Sequence, residues 1–312
     1  MKDLDKELFE ACGRGNIEEV ESLIKKGADV NASNEDGNTA LILASFKRHT
    51  EIAKLLINAG ADVNALNKNV ENALMCASYN GSTETIKLLI DNDAYVNAVS
   101  YDCNTALMTA SKNGHIEIAK ILIDKGAYVN VAKKNGTTAL METSYKGHAE
   151  IVKLLINSGA DVNAKTNSIN VVNKNCNNAL MWASTYGHTE TVKILIDAGA
   201  DVNDNASFHH VVHKYCRDHL RNANARVEYP KGYTALMSAA REGHTEIVKL
   251  LIDSGASPNA VDKDGWTALM YASHRHQSRT VNNYKDYMEI KRFLINNGAD
   301  PRIISRDGNV AR

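Results

Sequence analysis

The sequence predicts an all-α solenoid, a stack of short helix pairs in which each pair covers the apolar face of its neighbour. Three observations carry this prediction. The phrase Gly-Ala-Asp-Val-Asn at residues 27–31 returns, with small changes, from Gly60, Asp93, Gly126, Gly159, Gly199, Gly255 and Gly298, and the first five starts are 33 residues apart. A second phrase, Thr39-Ala40-Leu41-Ile42, recurs from Asn72, Thr105, Thr138, Asn178, Thr234 and Thr267, mostly as Thr-Ala-Leu-Met. Between the two phrases lie two short stretches with apolar residues at helical spacing.

Each unit justifies its elements in order. The first helix begins at the Thr or Asn, a natural N-cap, and ends at a glycine such as Gly81, Gly114, Gly147, Gly187 or Gly243. The second helix, exemplified by residues 150–157, sets Ile151, Leu154 and Leu155 on one broad apolar face. It stops at a glycine such as Gly159, where a side chain in the left-handed region costs about 1–2 kcal/mol. Asp93 departs from that glycine, so a weaker or reshaped helix end is expected there. A tight turn follows, with Gly37, Gly136, Gly232 and Gly265 at its tip; Val70, Cys103 and Cys176 hold the same position and leave the turn geometry open at those three. The frequent asparagines are read as compositional bias.

The consensus Gly-x-Thr-Ala-Leu-Met-x-Ala-Ser-x-x-Gly-His-x-Glu-Ile-Val-Lys-Leu-Leu-Ile-x-x-Gly-Ala-Asp-Val-Asn resembles the ankyrin repeat, and the resemblance runs from Leu4 to about Gly308. It implies an all-α ankyrin-repeat solenoid of helix-turn-helix pairs joined by β-turn or hairpin loops. The family's Thr-Pro-Leu-His is here Thr-Ala-Leu-Met, so the proline that pre-sets the first helical turn and the histidine that bonds the threonine are missing. Stability must then lean on Met and Leu packing between neighbours. Eight helix pairs are expected, in a single array over residues 1–312. Lys291, where inner units carry Val152, Val192 and Val248, and Arg312 suggest a true C-terminal end rather than a truncation. Insertions are placed near 165–174, 204–228 and 275–285. The second holds Phe208, Val211, Val212, Tyr215 and Leu220, too apolar for a disordered tether, and is expected to fold back with a helical turn or two.

Composition narrows the function. A formal net charge of −1 argues against a dedicated nucleic-acid binder. No apolar stretch approaches a membrane span, the charged start is no secretory signal, and five irregularly spaced cysteines read as reduced thiols. A cytoplasmic monomer is expected. No nucleophile elbow, phosphate-cradling loop or isolated carboxylate pair appears, and Asp29, Asp62, Asp161 and Asp201 recur with the repeat, which assigns them to the turn. The expectation is a non-enzymatic protein without cofactors.

The face that changes from unit to unit is the inner face of the first helices, whereas the core positions barely vary. Here stand Phe46, Lys47, Tyr79, Tyr145, Lys146, Trp182, Tyr186 and Tyr271, and the turn-tip residues Tyr101, Tyr233 and Trp266 are expected to extend the same concave groove. Tyr and Trp make good binding anchors because they offer rigid area at low entropy cost. The groove is therefore expected to bind a protein partner. His115, His148, His188 and His244 follow the helix-ending glycines and read as structural helix-start residues, too far apart for one metal. In the second insertion His209, His213 and Cys216 fall within about 60° on a helix, with His219 near by, so a metal- or small-ligand-binding module at 204–228 is the alternative. A further alternative, by analogy with the resemblance alone, is a host-directed effector of a host-associated microbe or virus, acting in the host cytosol.

Overall fold

The computed structural model describes residues 2–166, 177–205, 232–276 and 284–311, with only the backbone of Arg275 and His276. The described residues form sixteen helices and no extended strands. They fall into two compact units, Met1–Lys133 and Lys134–Arg312.

The first unit holds four helix pairs: α1 (Asp3–Arg14) with α2 (Ile17–Lys25), α3 (Ala40–Phe46) with α4 (Thr50–Asn58), α5 (Ala73–Asn80) with α6 (Thr83–Asp91), and α7 (Ala106–Lys112) with α8 (Ile116–Asp124). The second holds α9 (Ala139–Lys146) with α10 (Ala149–Asn157), α11 (Ala179–Thr185) with α12 (Thr189–Asp197), α13 (Ala235–Glu242) with α14 (Thr245–Asp253), and α15 (Ala268–His276) with α16 (Tyr284–Asn296). Within each unit every first helix packs on the next first helix, and every second helix on the next second helix. The expected eight pairs are present. The core is a repeated row: Leu74, Leu107, Leu140, Leu180 and Leu236 are buried, as are Met75, Met108, Met141, Met181, Met237 and Met270. Packing thus takes over from the missing Pro and His, as the consensus implies.

The N-caps form as the phrase predicts. Thr39 Oγ1 accepts from the Ile42 amide at 3.3 Å, Asn72 Oδ1 from Met75 at 3.0 Å, and Asn178 Oδ1 from Met181 at 2.9 Å. The recurring aspartates close the turn where they follow a second helix: Asp29, Asp62 and Asp201 each accept from the amide two residues on at 2.9 Å.

Three sequence expectations need correction. Asp93 does not reshape its helix end: it takes φ 63°, and its own amide and that of Ala94 make the same backbone bonds as at the glycines. Val70 and Cys103 likewise keep the standard turn at φ 61° and 59°, so stacking holds even a β-branched residue in the left-handed region. Arg48 fills the slot of the helix-ending glycine at φ 62°. Second, the asparagines are chemistry rather than bias. Asn31 donates from Nδ2 to the Gly60 carbonyl at 3.0 Å while its Oδ1 accepts from the Asp62 amide at 2.7 Å. Asn64 and Asn97 repeat the clamp in the first unit, and Asn163, Asn203 and Asn259 repeat it in the second. One side chain satisfies an orphan carbonyl and an amide of the next repeat at once.

Third, the histidines do sit at the second-helix starts, but their side chains do not cap those helices. His115, His188 and His244 reach back and donate from Nε2 to the carbonyls of Tyr79, Tyr145 and Thr185 at 3.1, 3.0 and 3.1 Å. Each ring lies against the glycine that ends the preceding first helix; a Cβ on Gly81 would come within 2.6 Å of the His115 ring. In the last pair Tyr287 replaces the histidine and donates to the Arg241 carbonyl at 3.0 Å.

The insertions leave intact turns. The Thr166 amide donates to the Asn177 carbonyl at 3.2 Å, and the Asn177 amide to Thr166 Oγ1 at 3.0 Å. Asn205 bridges to Thr234, and a half-buried Lys165–Asp204 ion pair, joined by Asn178, ties the two insertion sites together. The insertions themselves, with Phe208, Val211, Val212, Tyr215, Leu220 and Cys176, lie largely outside the described residues.

Two stability changes follow. Asp93→Gly should raise the urea midpoint by the equivalent of about 1 kcal/mol, since left-handed strain is relieved at a modest entropic cost. Asn203→Ala, which removes bonds to the Gly255 carbonyl and Ser257 amide at 2.9 and 2.7 Å, should lower stability by about 1–2 kcal/mol in the same melt.

Candidate functional site

The inner face of the first helices is built from positions that the core does not use. In a pair such as α11, Ala179, Leu180, Met181, Ala183 and Ser184 are buried, which leaves Trp182, Thr185 and Tyr186 to the outside. The strip is not wholly surface. Thr109 and Ser238, at the same register as Trp182, are buried, and the amides of Asn80 and Asn113 are spent on the Phe46 and Tyr79 carbonyls of the preceding helix.

In the second unit the aromatics gather into two clusters. Tyr145 meets Trp182 edge-on at 5.4 Å and Tyr186 at 4.5 Å, while Trp182 and Tyr186 lie nearly parallel at 6.0 Å. Lys146 Nζ stands 5.2 Å above the Tyr145 ring. Tyr186 is 46% exposed, and partial burial beside the Tyr145 phenol pushes its hydroxyl pKa up. The second cluster joins helix to turn tips: Tyr271 meets Tyr233 at 5.5 Å and Trp266 at 5.2 Å, and Trp266 meets the exposed His274 at 5.4 Å.

Asp262 is the residue that sequence reasoning missed. Its Oδ1 accepts from the Asp264 and Trp266 amides at 2.9 Å, which shapes the turn, and its Oδ2 accepts from the Tyr271 hydroxyl at 2.5 Å. Burial and the Asp262 carboxylate hold the Tyr271 phenol well above its ordinary pKa, so it stays a donor. The same Asx turn recurs at Asn34 and Asn67, and that recurrence was the available signal.

In the first unit Phe46 and Tyr79 stack at 6.1 Å with planes 20° apart, and Lys47 Nζ lies 5.9 Å from the Phe46 centroid. Tyr101 stands 68% exposed on its turn. Between these aromatics and the turns runs an open groove of about 370 Å³, floored by Met75, Cys76 and Thr109 and walled by Asn38, Glu71 and Asn104. Burial, with Glu71 adding to it, pushes the Cys76 thiol up to about 12, which keeps it protonated and unreactive near neutral pH.

Among the described residues no group of three or more His, Cys, Asp or Glu is placed to hold a metal. His209, His213, Cys216 and His219 lie outside the described residues. No described helix is long and apolar enough to cross a membrane.

Comparison with known proteins agrees with the repeat geometry. The family of ankyrin repeats in three copies matches residues 8–100, 66–133, 96–166, 130–206 and 206–305. Protein phosphatase 1 regulatory subunit 12A of Mus musculus is 54% identical over 43 residues, 14% of this chain and 4% of that protein. Notch-regulated ankyrin repeat-containing protein B of Danio rerio is 43% identical over 44 residues, 14% of this chain and 40% of that protein. The human Notch-regulated ankyrin repeat-containing protein is 43% identical over 44 residues, 39% of its length. The chain therefore spans well under half of each of these relatives. A clamped turn, paired stacked helices and a family match across nearly the whole chain lead to one conclusion: this chain belongs to the ankyrin-repeat family, a class of protein–protein interaction modules.

Proposed function

We propose that this chain is a non-enzymatic scaffold that holds a protein partner against the inner face of its first helices and the adjoining turn tips. The observation that supports this most is the contrast within one chain. Leu recurs at one buried position of the first helices from α3 on and Met beside it from α5 on, while the neighbouring outward positions change and gather Phe46, Tyr79, Tyr145, Trp182, Tyr186, Tyr233, Trp266 and Tyr271. Aromatic rings locked against one another lose little freedom when a partner arrives, so more of the contact energy appears as affinity. Lys47 and Lys146, each over an aromatic ring, add fixed positive charge beside the anchors. Tyr101 is included on its exposure and its place at a turn tip.

The named proteins that match over a single stretch do not identify the partner, because ankyrin repeats share their scaffold and differ in the residues it displays. A cytosolic location is part of the proposal; Cys12 and Cys76 are free thiols, in keeping with a reducing compartment.

The experiment is affinity capture from a native lysate, with a variant as control. Replacing Tyr145, Trp182 and Tyr186 together by alanine should leave the circular-dichroism signature of a folded helical array in place. It should also cut recovery of captured proteins at least about tenfold, the usual weight of aromatic anchors. Undiminished recovery by the folded triple variant would overturn the assignment of the second unit's inner face.

A further inference from the structure

The groove of the first unit differs from the rest of the inner face in having room. At the register where the second unit places Trp182 and Tyr271, the first unit places Cys76 and Thr109, and the volume left over is the 370 Å³ recess beneath Phe46 and Tyr79. Its polar groups are aligned by hydrogen bonds that fix which atom faces which way. Asn67 Oδ1 is occupied by the Asn69 and Glu71 amides at 2.9 Å, so its Nδ2 must donate, and it does so to Asn38 Oδ1 at 3.0 Å and Glu71 Oε2 at 3.2 Å. Thr109 gives its one hydroxyl proton to the Thr105 carbonyl at 3.0 Å and can only accept from Asn104, which donates from Nδ2 at 2.8 Å. The oxygens of Asn38, Asn104 and Glu71 keep acceptor capacity toward the recess.

These walls are therefore rich in acceptors. Asn104 Oδ1 is buried without a hydrogen-bond partner among the described residues, and an unmet buried acceptor costs about 1–3 kcal/mol. Glu71 is the one acidic side chain among the residues that line the recess. Above it stand two exposed, nearly parallel aromatic rings, one of which already lies near a cation, the Lys47 ammonium. Lys47 and Lys68, next in the chain to the lining residues Phe46 and Asn67, are both exposed, so solvent screens their repulsion of an incoming charge.

From this juxtaposition we infer that the first-unit groove is a pocket for an arginine side chain of the partner. A guanidinium is planar, carries five donors and no acceptor, is always charged, and stacks on aromatic faces. It matches a carboxylate, amide oxygens and two open rings at once, which an ammonium does only in part and a neutral or acidic group not at all. The assignment rests on the inner face being the binding face, and it names what that face takes up in the first unit.

The test uses the full chain and three blocked pentapeptides, Gly-Gly-X-Gly-Gly, with X arginine, lysine or citrulline. Citrulline keeps the shape of arginine without the charge. Amide chemical shifts of the labelled protein report binding and its place. The arginine peptide should move the resonances of Glu71, Cys76 and Tyr79, the lysine peptide less so, and the citrulline peptide should leave them still. Glu71→Gln, which keeps an oxygen for the Asn67 amide, should weaken the arginine peptide about tenfold. Cys76→Trp, which carries into the first unit the residue at this register in α11, should block it by filling the recess. If that variant lowers the melting midpoint, Glu71→Gln alone decides. Equal binding of the three peptides, shifts confined to other residues, or indifference to Glu71→Gln overturns the arginine pocket. None of those outcomes touches the reading of the inner face itself, which the aromatic triple variant in the second unit tests separately.

Discussion

Everything in this chain follows from a helix pair too small to bury its own apolar face. From α3 to α14, nine residues of second helix and seven to eight of first helix offer one stripe each, and only the pair stacked alongside covers it. The result is a core one row deep, repeated: Ala and Leu from each first helix, with Met from α5 onward, and Ile or Val and Leu from each second. Chemistry is confined to the outside because the inside is already used by the neighbour.

Lateral stacking alone leaves helix ends unsatisfied, and two polar devices meet that need within each unit. Asparagine clamps the turn after one second helix to the turn after the next, and histidine or Tyr287 reaches back to the last carbonyls of the preceding first helix. Because these bonds run between repeats, they hold the spacing of repeats rather than the form of any one of them. That explains why Asp93, Val70, Cys103 and Arg48 can be held at positive φ: the strain at one turn is small beside the stacking and clamping on both sides.

The same scaffold supports two different binding textures. Where a large ring occupies the register of Trp182, it packs against Tyr145 and Tyr186 into a ridge of aromatic edges. Where small residues occupy it, as with Cys76 and Thr109, a recess opens and the turn residues Asn38, Glu71 and Asn104 become its walls. One side-chain position, varied without cost to the core, selects between ridge and pocket. This separation of display from stability is what makes the repeat a general scaffold for interaction.

Periodicity alone determined the fold of this chain, because the constraint is local and recurs: Thr39 and its equivalents start helices, Gly81 and Gly147 end them, and the aspartates turn the chain, each by contacts within a few residues. It also located the outward aromatics, since a helical register says which side a residue takes. What it could not supply were relations between repeats 29 to 36 residues apart, such as Asn31 to Gly60 or His115 to Tyr79, where spelling shows recurrence but not the atom reached. The recess above Cys76 belongs to the same class, and for Asp262 recurrence marked the turn but not the reach to Tyr271 nine residues on. A hydrogen bond across a turn and a volume left by a small residue exist only once neighbours are in place, so tertiary stacking decided them.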